Sequence, residues 1–288
     1  MRHQKLMLLI FALGALLPWK AYASFIETSM GAAVVNDATA AYFNPAALVL
    51  LKTPQIIPLG SVTQFNTRFV GQTRRTGTVF TENGSASSNT NYYSPSLYLG
   101  MPIGNKTTIG FAVVSNFANR NPEDNAILRY SQASNTIQDY DFVPSIGIKI
   151  NDYLSLGGGI NFSYTVFHLE PIIGFMGSTI ADSQSNNRSS GSGIGGNIGF
   201  LLKPRLGTLI GFNYRTVTSY NESGESALNG PMHIVSHDYH FNFRTPARSI
   251  LSISQMLTTN IGLLLRYSEH SGVLYKMYIL IILLIQPV

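Results

Sequence analysis

The 288-residue chain has no cysteine, and charged residues make up only 11% of it. Beyond its N-terminus it also lacks an apolar run of the ~20 residues that a membrane-spanning helix needs. The missing cysteine excludes a disulfide scaffold and thiol chemistry. The charge content falls well below the ~25% of an ordinary globular surface, which argues against a soluble enzyme. The missing apolar runs exclude a helical membrane protein. The formal charge is +5, but the basic residues are scattered, with no cluster longer than Arg74-Arg75. A nucleic-acid partner is therefore not expected, because it calls for a basic patch or stripe.

What the chain does have is 26 glycines, 16 phenylalanines and 15 tyrosines, with a mean hydropathy of only +0.13. Modest hydropathy with many aromatics suits strands that present one face to lipid and the other to water. The first residues, "MRHQK", form a basic lead. "LMLLIFALGALL" at 6–17 is an apolar stretch of secretory length, and "AYA" at 21–23 is a cleavage signal, with Lys20 as an irregularity. Residues 1–23 read as a signal peptide, and the mature chain begins at Ser24.

Strict alternation runs through the rest. In "LSLGGGINFSYTVFH" the positions Leu154, Leu156, Ile160, Phe162, Tyr164 and Val166 oppose Ser155, Gly157, Gly159, Asn161, Ser163 and Thr165. A period of two over this length predicts a strand. The pattern recurs near 94–103, 108–117, 142–150, 194–202, 206–216 and 261–268, with less regular candidates at 56–70 and 241–257, about nine strands in all. Short turns are predicted at 104–106, 151–152, 204–205 and 258–260. Long links rich in Ser, Asn, Gly and Thr are predicted at 72–91, 118–140, 169–192 and 219–240. Short turns at one rim and long loops at the other describe an outer-membrane barrel. A soluble barrel would turn its greasy face inward, and the opposing Gly- and Ser-rich face is a poor charged exterior. The fold class is thus all-β, an antiparallel transmembrane β-barrel in the outer membrane of a Gram-negative bacterium.

The segment ahead of the strands behaves differently. "DATAAYF" at 37–43 reads as a helix, and Asn44-Pro45-Ala46 breaks it, because proline disfavours helical geometry before it and lacks a donor. Residues 24–53 are too helical to join a sheet and are expected to fold into the barrel as a plug.

At this point the sequence resembles the FadL/TodX-type family of outer-membrane transport proteins. The resemblance is carried by "GAAVVNDATAAYFNPAAL" at 31–48, "VPSIGIKINDYLSLGGGINFSY" at 143–164, "GGNIGFLLKPRLGTLIGFNYRT" at 195–216 and "TPARSILSI" at 245–253. It implies a 14-stranded barrel closed by a short helical N-terminal hatch, which passes long-chain fatty acids or other hydrophobic molecules by passive transport, without cofactor or covalent step. It implies outer-membrane lipid and the barrel assembly machinery as partners of a monomer. Asn44, Pro45 and Ala46 are the expected gate, with Gly31 and Asp37 in the same hatch pattern. Arg215 and Lys149, on the polar face, are candidates to receive a carboxylate.

Other readings are weaker. A non-specific porin or structural barrel would lack the hatch, and a lipase-like enzyme needs a catalytic set that no spacing indicates. His233, His237 and His240 stand in a polar link without the spacing of a metal site on a strand. The stretch "SFIETSM" between signal and hatch is short. After Gly272 the alternation stops, and residues 273–288 form an aberrant apolar tail that reads as out of frame. The barrel strands are thus assigned to 54–272. Reading the coding sequence onward from Gly272 in the other frames tests this: resumed alternation supports a displaced frame, and none in any frame refutes it.

Overall fold

The computed structural model describes residues 33–75, 79–115, 118–121, 126–130, 134–174, 177–231, 233–257, 261–270 and 282–285. The signal region, Gly31 and the predicted turn at 258–260 lie outside the described residues. A one-turn helix α1 (Ala40–Phe43) leads through Asn44 into a 3-10 helix (Pro45–Leu50). One antiparallel sheet of 14 strand segments follows. These are β1 (Gln55–Arg74), β2 (Thr81–Ile103), β3 (Thr107–Val114), β4 (Ala118–Asn121), β5 (Ser134–Lys149), β6 (Leu154–Glu170) and β7 (Ile172–Ile173). Then come β8 (Ser183–Arg205), β9 (Thr208–Arg215), β10 (Thr218–Asn229), β11 (Ile234–Thr245), β12 (Arg248–Met256), β13 (Ile261–His270) and β14 (Ile282–Ile285).

Several segments are collinear. β3 and β4 run along β5, β6 and β7 along β8, and β9 and β10 along β8; β11 and β12 continue one another along β10 and β9. Joining these four pairs leaves nine long strands and the four-residue β14, in agreement with the nine read from alternation. β14 lies within the tail at 273–288 and pairs with Ile261–Leu264 of β13. Among the described residues β1 pairs only with β2, so the wall is open between β1 and β14.

The sheet nevertheless curls. Ala33 donates its N–H to Ser252 Oγ on β12 (2.9 Å), while Ala38, five residues on, packs on Gly100 of β2. Six inter-strand steps separate β2 from β12, about 29 Å across a flat sheet. Five extended residues span at most about 18 Å, so the wall must curve around the segment at 33–51.

The two faces divide as the alternation predicts. Phe162 is 46% exposed on the outside, and Phe111 and Phe212 on the same face are half-buried. Ser145, Ser155, Asn161, Ser163, Asn197 and Asn213 point inward and are buried. The short turns at 104–106 and near 151–152 are as expected. Pro204 and Arg205 instead close β8, and the chain turns at Leu206-Gly207, where Gly207 takes φ +79°.

The long polar links differ from expectation. Most of their residues continue the strands as hairpins: β1 and β2 stay in register to Arg74↔Thr81, and β10 and β11 occupy much of 219–240. β8 has 23 residues, about twice what a tilted strand needs to cross a bilayer. Beyond the crossing the outer face turns polar, with Arg188, Asn221, Glu225, Asp238 and Asn242 exposed. These extensions lack greasy alternation because their outer face stands in water, so their polar residues read as loops.

This boundary is measurable. Ile160→Arg, on the lipid face mid-strand, should destabilise the protein by about 2–4 kcal/mol in urea titrations in lipid vesicles, whereas Asn221→Arg on the extension should cost about 0–1 kcal/mol.

Candidate functional site

Asn44-Pro45-Ala46 rests on three glycines of the wall. Gly147 on β5, Gly157 on β6 and Gly199 on β8 are aligned by register, Gly147 opposite Gly157 and Gly157 opposite Gly199. A Cβ at Gly199 would overlap Asn44 Oδ1, at Gly147 the Pro45 carbonyl oxygen, and at Gly157 the Ala46 nitrogen. Each residue of the tripeptide thus occupies the space that a side chain on one strand would take. Glycine inside a strand costs stability and marks a close backbone approach; here the approaching backbone is the protein's own N-terminal segment.

Asn44 fixes the position. Its extended backbone (φ −163°) ends α1, and its Oδ1 accepts from Ala46 N (3.2 Å), capping the 3-10 helix with Pro45 at the first helical position. Its Nδ2 donates to the Ala33 carbonyl (2.6 Å) and the Phe200 carbonyl of β8 (3.1 Å). One fully buried amide therefore closes the segment on itself and ties it to the wall.

Two aromatics anchor α1 on different strands. Phe43 stacks with Tyr98 of β2 at 6.3 Å between ring centroids. Tyr42 lies under the Arg215 guanidinium of β9, 3.9 Å from the ring centroid. Arg215 also donates to the Tyr42 carbonyl (2.9 Å) and to Asp141 Oδ2 of β5 (3.4 Å). The Tyr42 hydroxyl donates to the same Asp141 oxygen (3.4 Å), and Ser163 Oγ donates to the other. Burial holds the Tyr42 phenol well above its usual range even beside Arg215, so it stays a neutral donor. The Arg215–Asp141 pair is buried on both sides. Removing one partner of such a pair typically costs ~3–5 kcal/mol.

The expected site residues thus meet different surroundings. Asn44, Pro45 and Ala46 come together on the glycine track. Asp37 is local: its Oδ1 accepts from Thr39 N (2.9 Å) and Thr39 Oγ1 (2.5 Å), shaping the turn into α1. Arg215 is inward, as its face predicts, but its guanidinium is engaged by Asp141 and Tyr42. Lys149 stands at the short-turn rim in an ion pair with Asp152 (2.6 Å), apart from the Arg215 group. Among the described residues no cluster of metal-ligating side chains occurs. His237 and His240 instead face Glu225 (3.1 Å) and Asp238 (2.7 Å) on the exposed hairpin.

Alternation alone missed Tyr42, Asp141 and Tyr98 as partners, and the inward aromatic group of Phe167, Tyr220, Tyr239, Phe241 and Phe243. Tyr220 and Phe243 stack at 4.4 Å, and Phe167 meets Phe241 and Phe243 edge-on at 5.3 and 5.1 Å. The signal for the glycine track was present: Gly147, Gly157 and Gly199 each fall mid-strand on the inner face.

The model of the family described as outer membrane protein transport protein (OMPP1/FadL/TodX) matches residues 26–256. The chain belongs to this family. Three solved structures share the OMPP1/FadL/TodX fold with it. A FadL homologue of Pseudomonas aeruginosa has a TM-score of 0.67 at 16% identity, covering 88% of this chain and 68% of its own. The toluene transporter TbuX of Ralstonia pickettii has 0.60 at 16%, covering 85% and 70%. The toluene transporter TodX of Pseudomonas putida has 0.61 at 14%, covering 88% and 70%. No curated protein matches the chain by sequence. Family membership places the chain among Gram-negative outer-membrane transport proteins.

The glycine seat has a direct test, because the chain has no cysteine of its own. Ala47→Cys should resist maleimide labelling in the folded protein. Adding Gly157→Val, which overpacks the seat, should raise its labelling roughly tenfold or more with strand content unchanged. Adding Gly60→Val should leave it protected, since a Cβ there meets nothing within 4 Å.

Proposed function

We propose that this protein passes long-chain fatty acids or other hydrophobic molecules across the outer membrane, with the segment at 33–51 as the hatch. The observation that carries this reading is the way the segment is held. It is buried inside the curled wall and seated on glycines, yet tied to the wall by a few polar contacts, at Asn44, Arg215, Ala33 and Ala38. Such a plug blocks a lumen while leaving a route to open.

The aromatic group at Phe167, Tyr220, Phe241 and Phe243 offers an apolar surface on the long-loop side of Arg215. Similar structures include toluene transporters and a monoaromatic hydrocarbon channel, which supports a hydrophobic cargo. A fatty-acid carboxylate is an anion of the same kind as Asp141 and competes with it for Arg215. Once Arg215 turns to the incoming anion it loosens its hold on the Tyr42 carbonyl, and α1 is freed. Asn44, Pro45 and Ala46 then leave the glycine track together, because the Asn44 amide links them. Lys149 is a rim anchor in this scheme. Transport is passive, and no covalent chemistry is assigned. The chain reaches the membrane after cleavage at Ala23 and inserts as a monomer through the barrel assembly machinery.

The test is uptake of oleate by a Gram-negative host lacking its own such transporter, with sugar-driven swelling of liposomes as the companion measurement. The protein should restore uptake and leave sugars excluded. Arg215→Gln should reduce oleate uptake several-fold, and Lys149→Gln should leave it unchanged. Rapid sugar passage through the unaltered protein would mark a porin and refute the hatch.

A further inference from the structure

At the short-turn rim, on the far side of the hatch from Arg215, lies a cavity of about 520 Å³. This is within the ~300–1,000 Å³ of small-molecule sites. One wall is the hatch itself, through Val34 and Leu50. The other is the barrel, through Leu206, Leu209, Met256 and Leu264. These six side chains are apolar. The charged groups of the lining are Lys203, Arg205 and Asp152.

The charges do not cancel. Asp152 pairs with Lys149, which stands outside the lining, at 2.6 Å, and it also attracts the Lys203 ammonium from beyond ion-pair distance. Arg205 donates from Nε to Thr208 Oγ1 (3.1 Å) and from one terminal nitrogen to Gln255 Oε1 (3.3 Å), so neutral oxygens hold it. Lys203 lies two residues before the end of β8 on its inner face, with its backbone N–H bonded to the Tyr153 carbonyl (2.8 Å). Among the described residues no carboxylate comes within the 4.0 Å of an ion pair with its ammonium. An apolar cavity edged by an ammonium with no carboxylate in contact matches one ligand chemistry, an apolar chain ending in a single carboxylate.

We propose that this cavity is an exit site for a single-chain carboxylate amphiphile, whose tail packs between the hatch and β9 and whose head is received by Lys203. Because Val34 and Leu50 belong to the hatch, an occupied cavity holds the lower hatch in place while the upper contacts at Arg215 are vacated. Arg215 and Lys203 then act in sequence on the same carboxylate, from opposite sides of the plug. Only this order of passage rests on the transport reading; the cavity's affinity stands on its own residues.

The test uses the mature chain from Ser24 in lipid vesicles, which holds no indole because the one tryptophan, Trp19, lies in the predicted signal peptide, with Met256→Trp as a reporter in the cavity wall. A fatty acid brominated mid-chain is titrated and quenching of the indole recorded. Lys203→Gln should weaken the apparent affinity about tenfold, the worth of one charge-assisted hydrogen bond, and Lys203→Arg should restore most of it. A brominated hydrocarbon of equal length, without a carboxylate, should bind equally to both proteins. Absent quenching, or quenching indifferent to Lys203, overturns the proposal. So does quenching by brominated phospholipid that free fatty acid fails to displace, since the cavity would then be a bilayer-lipid seat. Lys203-dependent quenching without oleate uptake would leave the cavity standing and remove the transport reading; uptake without such quenching would do the reverse.

Discussion

The contact between Asn44-Pro45-Ala46 and the three glycines at 147, 157 and 199 governs the rest of the structure. Backbone lies on backbone at Gly147 and Gly157, and the Asn44 amide lies on Gly199, closer than any side chain on the wall would allow, as small residues permit where helices meet in membranes. That closeness lets one amide, Asn44, reach both Ala33 and Phe200. It also sets Tyr42 under Arg215 and Phe43 against Tyr98. A wall with alanines at those three positions would push the segment off, and the lumenal polar groups would lose the body that covers them.

The holding forces are of two kinds. Phe43, Leu48 and the alanines around them are buried, and a large apolar side chain gains about 1.5–3 kcal/mol by full burial. These contacts are non-directional and tolerate sliding. Asn44 and Arg215 are directional and define one position. A plug held only by the first kind would have no closed register, and one held by many of the second would not move. A handful of polar ties on a smooth glycine floor, those of Asn44 and Arg215 with the N–H bonds of Ala33 to Ser252 and Ala38 to Gln55, combine a defined resting place with a small number of bonds to break.

Solvent explains the composition. In hydrocarbon every backbone group must be paired within the protein, so the membrane is crossed by paired strands. The outer face then needs Ile, Leu and Phe, and the inner face needs residues slim enough for the segment, which are Gly, Ser and Asn. Little room is left for charge, and two of the few inward charges, Asp141 and Arg215, pair with each other. Beyond the membrane the same strands continue into water and their outer face becomes Arg188, Asn221 and Asn242.

Alternation over 154–166 and its repeats determined the strands, their faces and their number, because a side chain's face on a strand depends only on the parity of its position. The proline after Asn44 likewise determined where the helix stops, a local steric matter. Tertiary structure alone decided that Arg215 grips Tyr42 rather than waiting empty for an anion, since Tyr42 lies 173 residues away and no local rule relates them. It also decided that polar stretches such as 219–229 are strands, because their pairing is fixed by the partner strand and not by their own pattern. The glycines at 147, 157 and 199 were visible one by one; that they form a single floor is a property of register, which exists only once the strands have met.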